Sequence, residues 1–233
     1  MVSKKSFFYK SPLKYERIWK DIHKPNSYDI YGPHGTCEQI APEHKDLPIV
    51  SVFRDPFDRY VSLFKFAWWK KQPEIDPELI KKHYPNYPEL SFEEYLEMKN
   101  ELTIQTSTKG RLKSEISGFL TLQFIRYFCK NPESVIDQLN NDVDHNYQLI
   151  QKHLFEVKFL KTDRLNLSLF DYLKSIGIKD KHINFILKED RIMPTGGGRK
   201  SDDLAKSHFT EETRAYVLKK EQVLLKLFPE YAQ

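Results

Sequence analysis

Residues 48–53, PIVSVF, form an apolar run broken only by one serine. A short run rich in β-branched residues predicts a strand. Its lack of strict alternation predicts a strand buried on both faces. The chain then turns polar at Arg54-Asp55-Pro56 and continues with amphipathic spacing. Asp55 suits a helix cap and Pro56 a first turn, so a helix is expected from there to about Lys71.

The same reading places a second strand core at 157–160 and a short first strand at 7–9. Helices are expected at 13–22, 92–99, 116–129, 132–140, 168–176 and 180–188, with a last one capped by Thr210 and reaching about Phe228. Ser91 and Glu94 supply a capping box for the helix at 92–99. Residues 25–36, 72–90 and 101–115 read as loop. Strands alternating with helices imply an α/β layered domain with a mostly parallel sheet flanked by helices. The pattern fits one domain over residues 1–233, with a helical and loop insertion at about 68–115, and no repeat of fixed period.

Composition narrows the function classes. The chain has 233 residues, and 16 Phe, 13 Tyr and 3 Trp against 8 Gly exclude a low-complexity chain. A net charge of +4 suits an anionic ligand but falls short of the basic stripe of a nucleic-acid binder. Cys37 and Cys129 form no CxxC pair, which argues against zinc; a single disulfide is one reading of the two, and two free thiols in a reducing cytosol are the expectation. The first residues, MVSKKSFFYKSPLKYER, hold no apolar run of signal-peptide or membrane-anchor length. A soluble cytoplasmic protein without a membrane partner is the expectation. Nothing in the pattern sets an oligomeric state.

The chemistry gathers at FRDPFDRYVSLF. A parallel strand ending at Phe53 delivers Arg54 to the carboxyl edge of the sheet, where open α/β sheets bind ligands. A guanidinium there can grip a phosphate with two parallel charge-assisted hydrogen bonds. Ser62 adds a hydroxyl two helical turns on. Taken singly, these residues have bland readings: Arg59 pairing with Asp55 at i,i+4, and Ser62 as an incidental helix residue. The joint pattern R-x-P-x-x-R-x-x-S after a buried strand is more specific.

Arg54 to Ser62, RDPFDRYVS, resembles the 3′-phosphate-binding motif of sulfotransferases that use 3′-phosphoadenosine 5′-phosphosulfate (PAPS). The resemblance is closest to the branch of carbohydrate O-sulfotransferases and their bacterial relatives. It implies a P-loop-NTPase-like three-layer domain, PAPS as co-substrate without a metal, and Arg54 and Ser62 as ligands of the 3′-phosphate. Arg59 matches the motif and takes a structural role. His34, in YGPHGTCEQI, matches a loop histidine that serves some members as general base, with His44 and His208 as competitors. An imidazole titrates near neutral pH and suits that task. GGGRKSDDLAKSHFTEE resembles a loop whose Arg and Lys help bind the 3′-phosphate, here Arg199 and Lys200, with Ser201 in place of a glycine. VKFLKTDRLNLSLFDYLKSIG resembles a later strand, turn and helix. Gln123 and Arg126 are polar candidates on the adenine or substrate side, and Trp68 and Trp69 in the insertion for stacking on an acceptor.

The chain departs from the family at its start. The loop that wraps the 5′-phosphosulfate is matched only by FFYKSPLKY, with Lys10 and Ser11 in the phosphosulfate-binding places. Pro12 and Leu13 stand where small residues are usual, and proline brings no N–H donor. Three readings remain open: an altered loop in which Lys10 still serves, a natural start lying upstream, or a homologue that has lost donor binding and activity. The expected reaction is sulfuryl transfer to a hydroxyl or amine of a carbohydrate or small metabolite. Lys10 and His34 are its catalytic residues, and Arg54, Ser62, Arg199, Lys200 and Ser11 hold the donor. A P-loop kinase would need G-x-x-x-x-G-K-[ST], which is absent, and no RNP-like pattern supports an RNA binder.

Overall fold

The computed structural model describes residues 35–40, 42–189 and 207–232. Among these residues there are two strands, β1 (Ile49–Phe53) and β2 (Val157–Lys161); the strand expected at 7–9 and the helix expected at 13–22 lie outside the described residues. They pair in parallel, from Ile49 opposite Val157 to Phe53 opposite Lys161. Parallel neighbours need a crossover, and here that crossover is the helical middle of the chain. The protein is therefore mixed α/β, a small parallel sheet flanked by helices.

One expectation about β1 fails. Val50 and Val52 are 37% and 49% exposed. The described helices pack on the other face of β1, where the Phe53 ring stacks on Phe228 at 3.6 Å and meets Phe124 and Phe159 edge-on. Apolar composition alone does not report which face of a strand is covered.

The helix after β1 is α1 (Pro56–Phe66). Asp55 caps it through a 2.8 Å bond from the Phe57 N–H, as its position predicts. The helix stops short of Lys71. Ala67 takes the left-handed conformation at φ 54° and starts a separate turn, α2 (Trp68–Lys71). The segment read as loop over 72–90 contains α3 (Pro77–His83), capped by Asp76 with Pro77 in its first turn. Next is α4 (Phe92–Glu97), with the Ser91–Glu94 capping box formed.

Helical structure then continues where loop was expected, through a π-helical stretch Met98–Thr103 and α5 (Ile104–Thr108). Polar composition misled here. Leu102, Ile104, Asn100, Thr103 and Thr108 are all buried, and the threonine hydroxyls bond to carbonyls of their own helix. There follow α6 (Phe119–Phe128), α7 (Pro132–Gln138) and α8 (Val143–His153). After β2 come α9 (Leu165–Ser175), α10 (Asp180–Ile183), α11 (Glu211–Lys220) and α12 (Gln222–Leu227). Thr210 caps α11 as expected, but the last helix is split at Glu221.

Most buried apolar side chains join one cluster built from β1, α1, α4, α6, α7, α8, α11 and α12. A satellite of Phe170, Ile183 and Ile186 holds α9 and α10 together. Among the described residues no helix is long and apolar enough to cross a membrane. Cys37 and Cys129 are both free and buried, and burial pushes their thiols up to about 11 and about 12.

Candidate anion-binding cleft

A cleft of about 540 Å³ opens where β1 gives way to α1. Its floor is the carboxyl end of β1, from Ser51 to Arg54, with Thr162 beyond the end of β2. One wall is α6, through Gln123, Tyr127 and the rings of Phe124 and Phe128. This is the crevice outside the carboxyl ends of parallel strands, where ligands of open α/β sheets bind, and its volume is that of a small-molecule site.

Arg54 stands on its lip. The Arg54 Nη1 donates to Ser62 Oγ at 2.8 Å. The helical register explains the contact: Arg54 lies just before α1, and two turns bring Ser62 back beside it. Asp58 Oδ2 is 3.9 Å from Arg54 Nε, too far for a hydrogen bond. The accepting hydroxyl keeps its own proton to donate, and a guanidinium carries five N–H groups. Together they form a donor set that suits a tetrahedral oxyanion.

What fixes this lip is a buried polar lock beneath it. Glu221, fully buried between α11 and α12, accepts from the Tyr60 hydroxyl at 2.5 Å, the N–H groups of Leu120 and Thr121 at 3.0 and 2.9 Å, and the Thr121 hydroxyl at 2.6 Å. Its carboxylate thus caps the first turn of α6 from outside that helix. Tyr60 also bonds to Asn100 at 3.0 Å. Burial raises the Glu221 pKa while its four donors pull the other way. Gly118 makes the approach possible, because a Cβ there would stand 2.5 Å from Glu221 Oε1. The helix carrying Ser62 is thereby tied to both the cleft wall and the C-terminal helices.

The sequence-derived site residues divide accordingly. Arg54 and Ser62 meet at the cleft, and Gln123 lines it. Lys10, Ser11, His34, Arg199 and Lys200 lie outside the described residues; Gly35, just after His34, lines the cleft. The other candidates are elsewhere. Arg126 does not line the cleft and pairs with Glu133 at 3.1 Å. Trp69 is core and donates to the Phe64 carbonyl, while Trp68 is half-exposed against Phe66. His208 packs on Phe92, and neither His208 nor His44 lines the cleft.

Arg59 departs most from expectation. Asp55, its supposed i,i+4 partner, is occupied by capping α1, and Arg59 instead lines the cleft. Its guanidinium makes no hydrogen bond or ion pair among the described residues. Burial lowers its proton affinity, which the nearby Tyr127 and Tyr95 partly restore. The motif itself was the signal that could have flagged this residue.

Among the described residues no group of His, Cys, Asp and Glu is arranged to hold a metal ion. No family model, curated protein or solved structure matches this chain.

Proposed function

We propose that the cleft binds the 3′-phosphate of an adenosine nucleotide of the PAPS type, and that the protein is a sulfotransferase with a P-loop-NTPase-like fold. The observation that carries this reading is the 2.8 Å Arg54–Ser62 contact at the carboxyl edge of a parallel sheet, in the motif that resembles the family's phosphate clamp. The residues present fit the group. Arg54 lines the cleft with the Ser62 hydroxyl bonded to it, and the aromatic wall of Phe124 and Phe128 lies in the same cleft for an adenine.

The bound nucleotide would supply the sulfuryl group. The chain's own contributions are positioning and charge. Arg54 and Ser62 hold the phosphate, and Arg199 and Lys200 are proposed to add to that grip. Lys10 and Ser11 are proposed for the phosphosulfate end. His34 is proposed to take the proton of the acceptor hydroxyl, in keeping with Gly35 lining the cleft.

A second reading is a nucleotide-binding homologue without activity, favoured by Pro12 and Leu13 in the loop that should cradle the phosphosulfate. Calorimetry with adenosine 3′,5′-bisphosphate, the spent donor, tests both. Wild type is expected to bind and Arg54→Ala to lose most of the affinity; no binding by wild type overturns the nucleotide reading. Binding without transfer to any of a panel of hydroxyl and amine acceptors supports the inactive homologue. His34→Ala is expected to keep the affinity and lose the transfer.

A further inference from the structure

Charged side chains are rarely left half-buried without a counter-charge, because losing water around a cation costs more than most contacts return. Arg59 is such a residue. It lies mostly out of solvent on the cleft wall, with no hydrogen-bond or ion-pair partner among the described residues. The carboxylate of that neighbourhood, Glu74, is already taken by the buried Lys99 at 2.9 Å. Burial lowers the proton affinity of Lys99, and the neighbouring charge of Arg59 lowers it further. Glu74 is thus committed to Lys99, and among the described residues no carboxylate compensates the Arg59 guanidinium.

The surrounding side chains on the cleft wall are uncharged hydrogen-bonding groups rather than counter-charges. Tyr127 lines the cleft with Arg59, and Gln123 stands one helical turn before it on α6. Tyr95, fully buried within the field of Arg59, has a hydroxyl with no partner among the described residues. Burial holds both phenols neutral, since their pKa values are raised. Neutral phenols can donate to an anion but cannot neutralise a guanidinium.

Arg59 is also separate from the first clamp. Arg54 is bonded to Ser62 in front of α1, whereas the groups acting most strongly on Arg59 are the two tyrosines. We propose that Arg59, with Tyr127, forms a second oxyanion subsite in the cleft, distinct from the Arg54–Ser62 clamp. Its ligand is a phosphate, sulfate or carboxylate group. That group comes either from the other end of the nucleotide or from an acidic acceptor lying beside it. The assignment of those two sources rests on the nucleotide reading above; the existence of the second subsite does not.

Calorimetry on wild type, Arg59→Gln and Arg54→Gln decides it, with three probes: adenosine 3′-phosphate, adenosine 3′,5′-bisphosphate and inorganic sulfate. If the nucleotide is the source, Arg59→Gln weakens the bisphosphate at least tenfold and leaves the 3′-monophosphate unchanged. If the acceptor is the source, Arg59→Gln leaves both nucleotides unchanged, and sulfate still titrates into wild type saturated with bisphosphate but not into the saturated variant. Two results overturn the subsite. One is a loss of 3′-monophosphate affinity equal to that of Arg54→Gln, which would make Arg59 part of the first clamp. The other is nucleotide and sulfate binding indistinguishable from wild type. If wild type binds neither nucleotide, the nucleotide reading fails alone. Sulfate binding to the free protein then still decides the subsite, by its loss or persistence in Arg59→Gln.

Discussion

The hydroxyl of Tyr60 donates to the carboxylate of Glu221 at 2.5 Å, across 161 positions of sequence. Tyr60 lies between Arg59 and Ser62 in sequence but faces the core, so the helix that presents donors to the cleft is anchored from behind. Mutations at this anchor should act on stability first and on ligand binding second.

Gly118→Ala is expected to destabilise the protein by about 2–4 kcal/mol. The new methyl must displace a carboxylate held by four donors. Chemical denaturation of the two proteins measures the difference. A change below about 0.5 kcal/mol would show that Glu221 moves aside easily.

Ser62→Ala removes a hydroxyl that bonds to a guanidinium at the proposed phosphate clamp. Hydrogen bonds to charged groups contribute about 1.5–3 kcal/mol, so the affinity for adenosine 3′,5′-bisphosphate should fall roughly tenfold or more. The free protein loses the same bond, partly replaced by water, so its melting temperature should fall by a few degrees at most. Titration calorimetry and thermal unfolding of the same samples separate the two effects.

Arg59→Met replaces a desolvated cation by an apolar side chain of similar length. In the absence of ligand the variant should be more stable than wild type by about 1 kcal/mol. A loss of stability would mean that the guanidinium is satisfied in the free protein.

The two buried thiols make an alkaline signature. Burial puts their folded pKa values at about 11 and about 12, above the ordinary thiol value of 9.0. Above pH 9 the unfolded chain releases these protons and the folded one keeps them. Stability from the thiols is therefore complete below pH 9 and is lost as pH rises toward 11–12, by about 1.4 kcal/mol per pH unit for each thiol. Buried tyrosines add a slope of the same sign. The checkable quantity is the difference between wild type and Cys37→Ala/Cys129→Ala, which should have the shallower pH dependence between 9 and 11.

What could be read beforehand was what short stretches of chain decide for themselves. β1, the caps at Asp55, Ser91 and Thr210, and the placing of Arg54 beside Ser62 depend on neighbours within a few positions. The helix over 143–153 was also locally encoded, since Asp142 caps it by accepting from the Asp144 and His145 N–H groups, but its sparse apolar stripe hid it. The breaks at Ala67 and Glu221 were not visible. Ala67 is left-handed without being glycine, and Glu221 interrupts the last helix to serve the start of α6. Arg59 fell between these cases. Its helical register was correct, but Asp55 turned to the backbone and left it facing the cleft, which only the assembled fold decides.

The cleft borrows from nearly the whole length of the polypeptide: Gly35 near one limit of the described chain, Leu224 near the other. During synthesis the early strand and its arginine emerge long before the helix pair bearing Glu221 and Leu224. A partly made chain thus carries the clamp residues without the walls that orient them. Capture of any ligand by the cleft should begin only after the last helices have docked, which would make retention of the proposed nucleotide a sensor of finished folding.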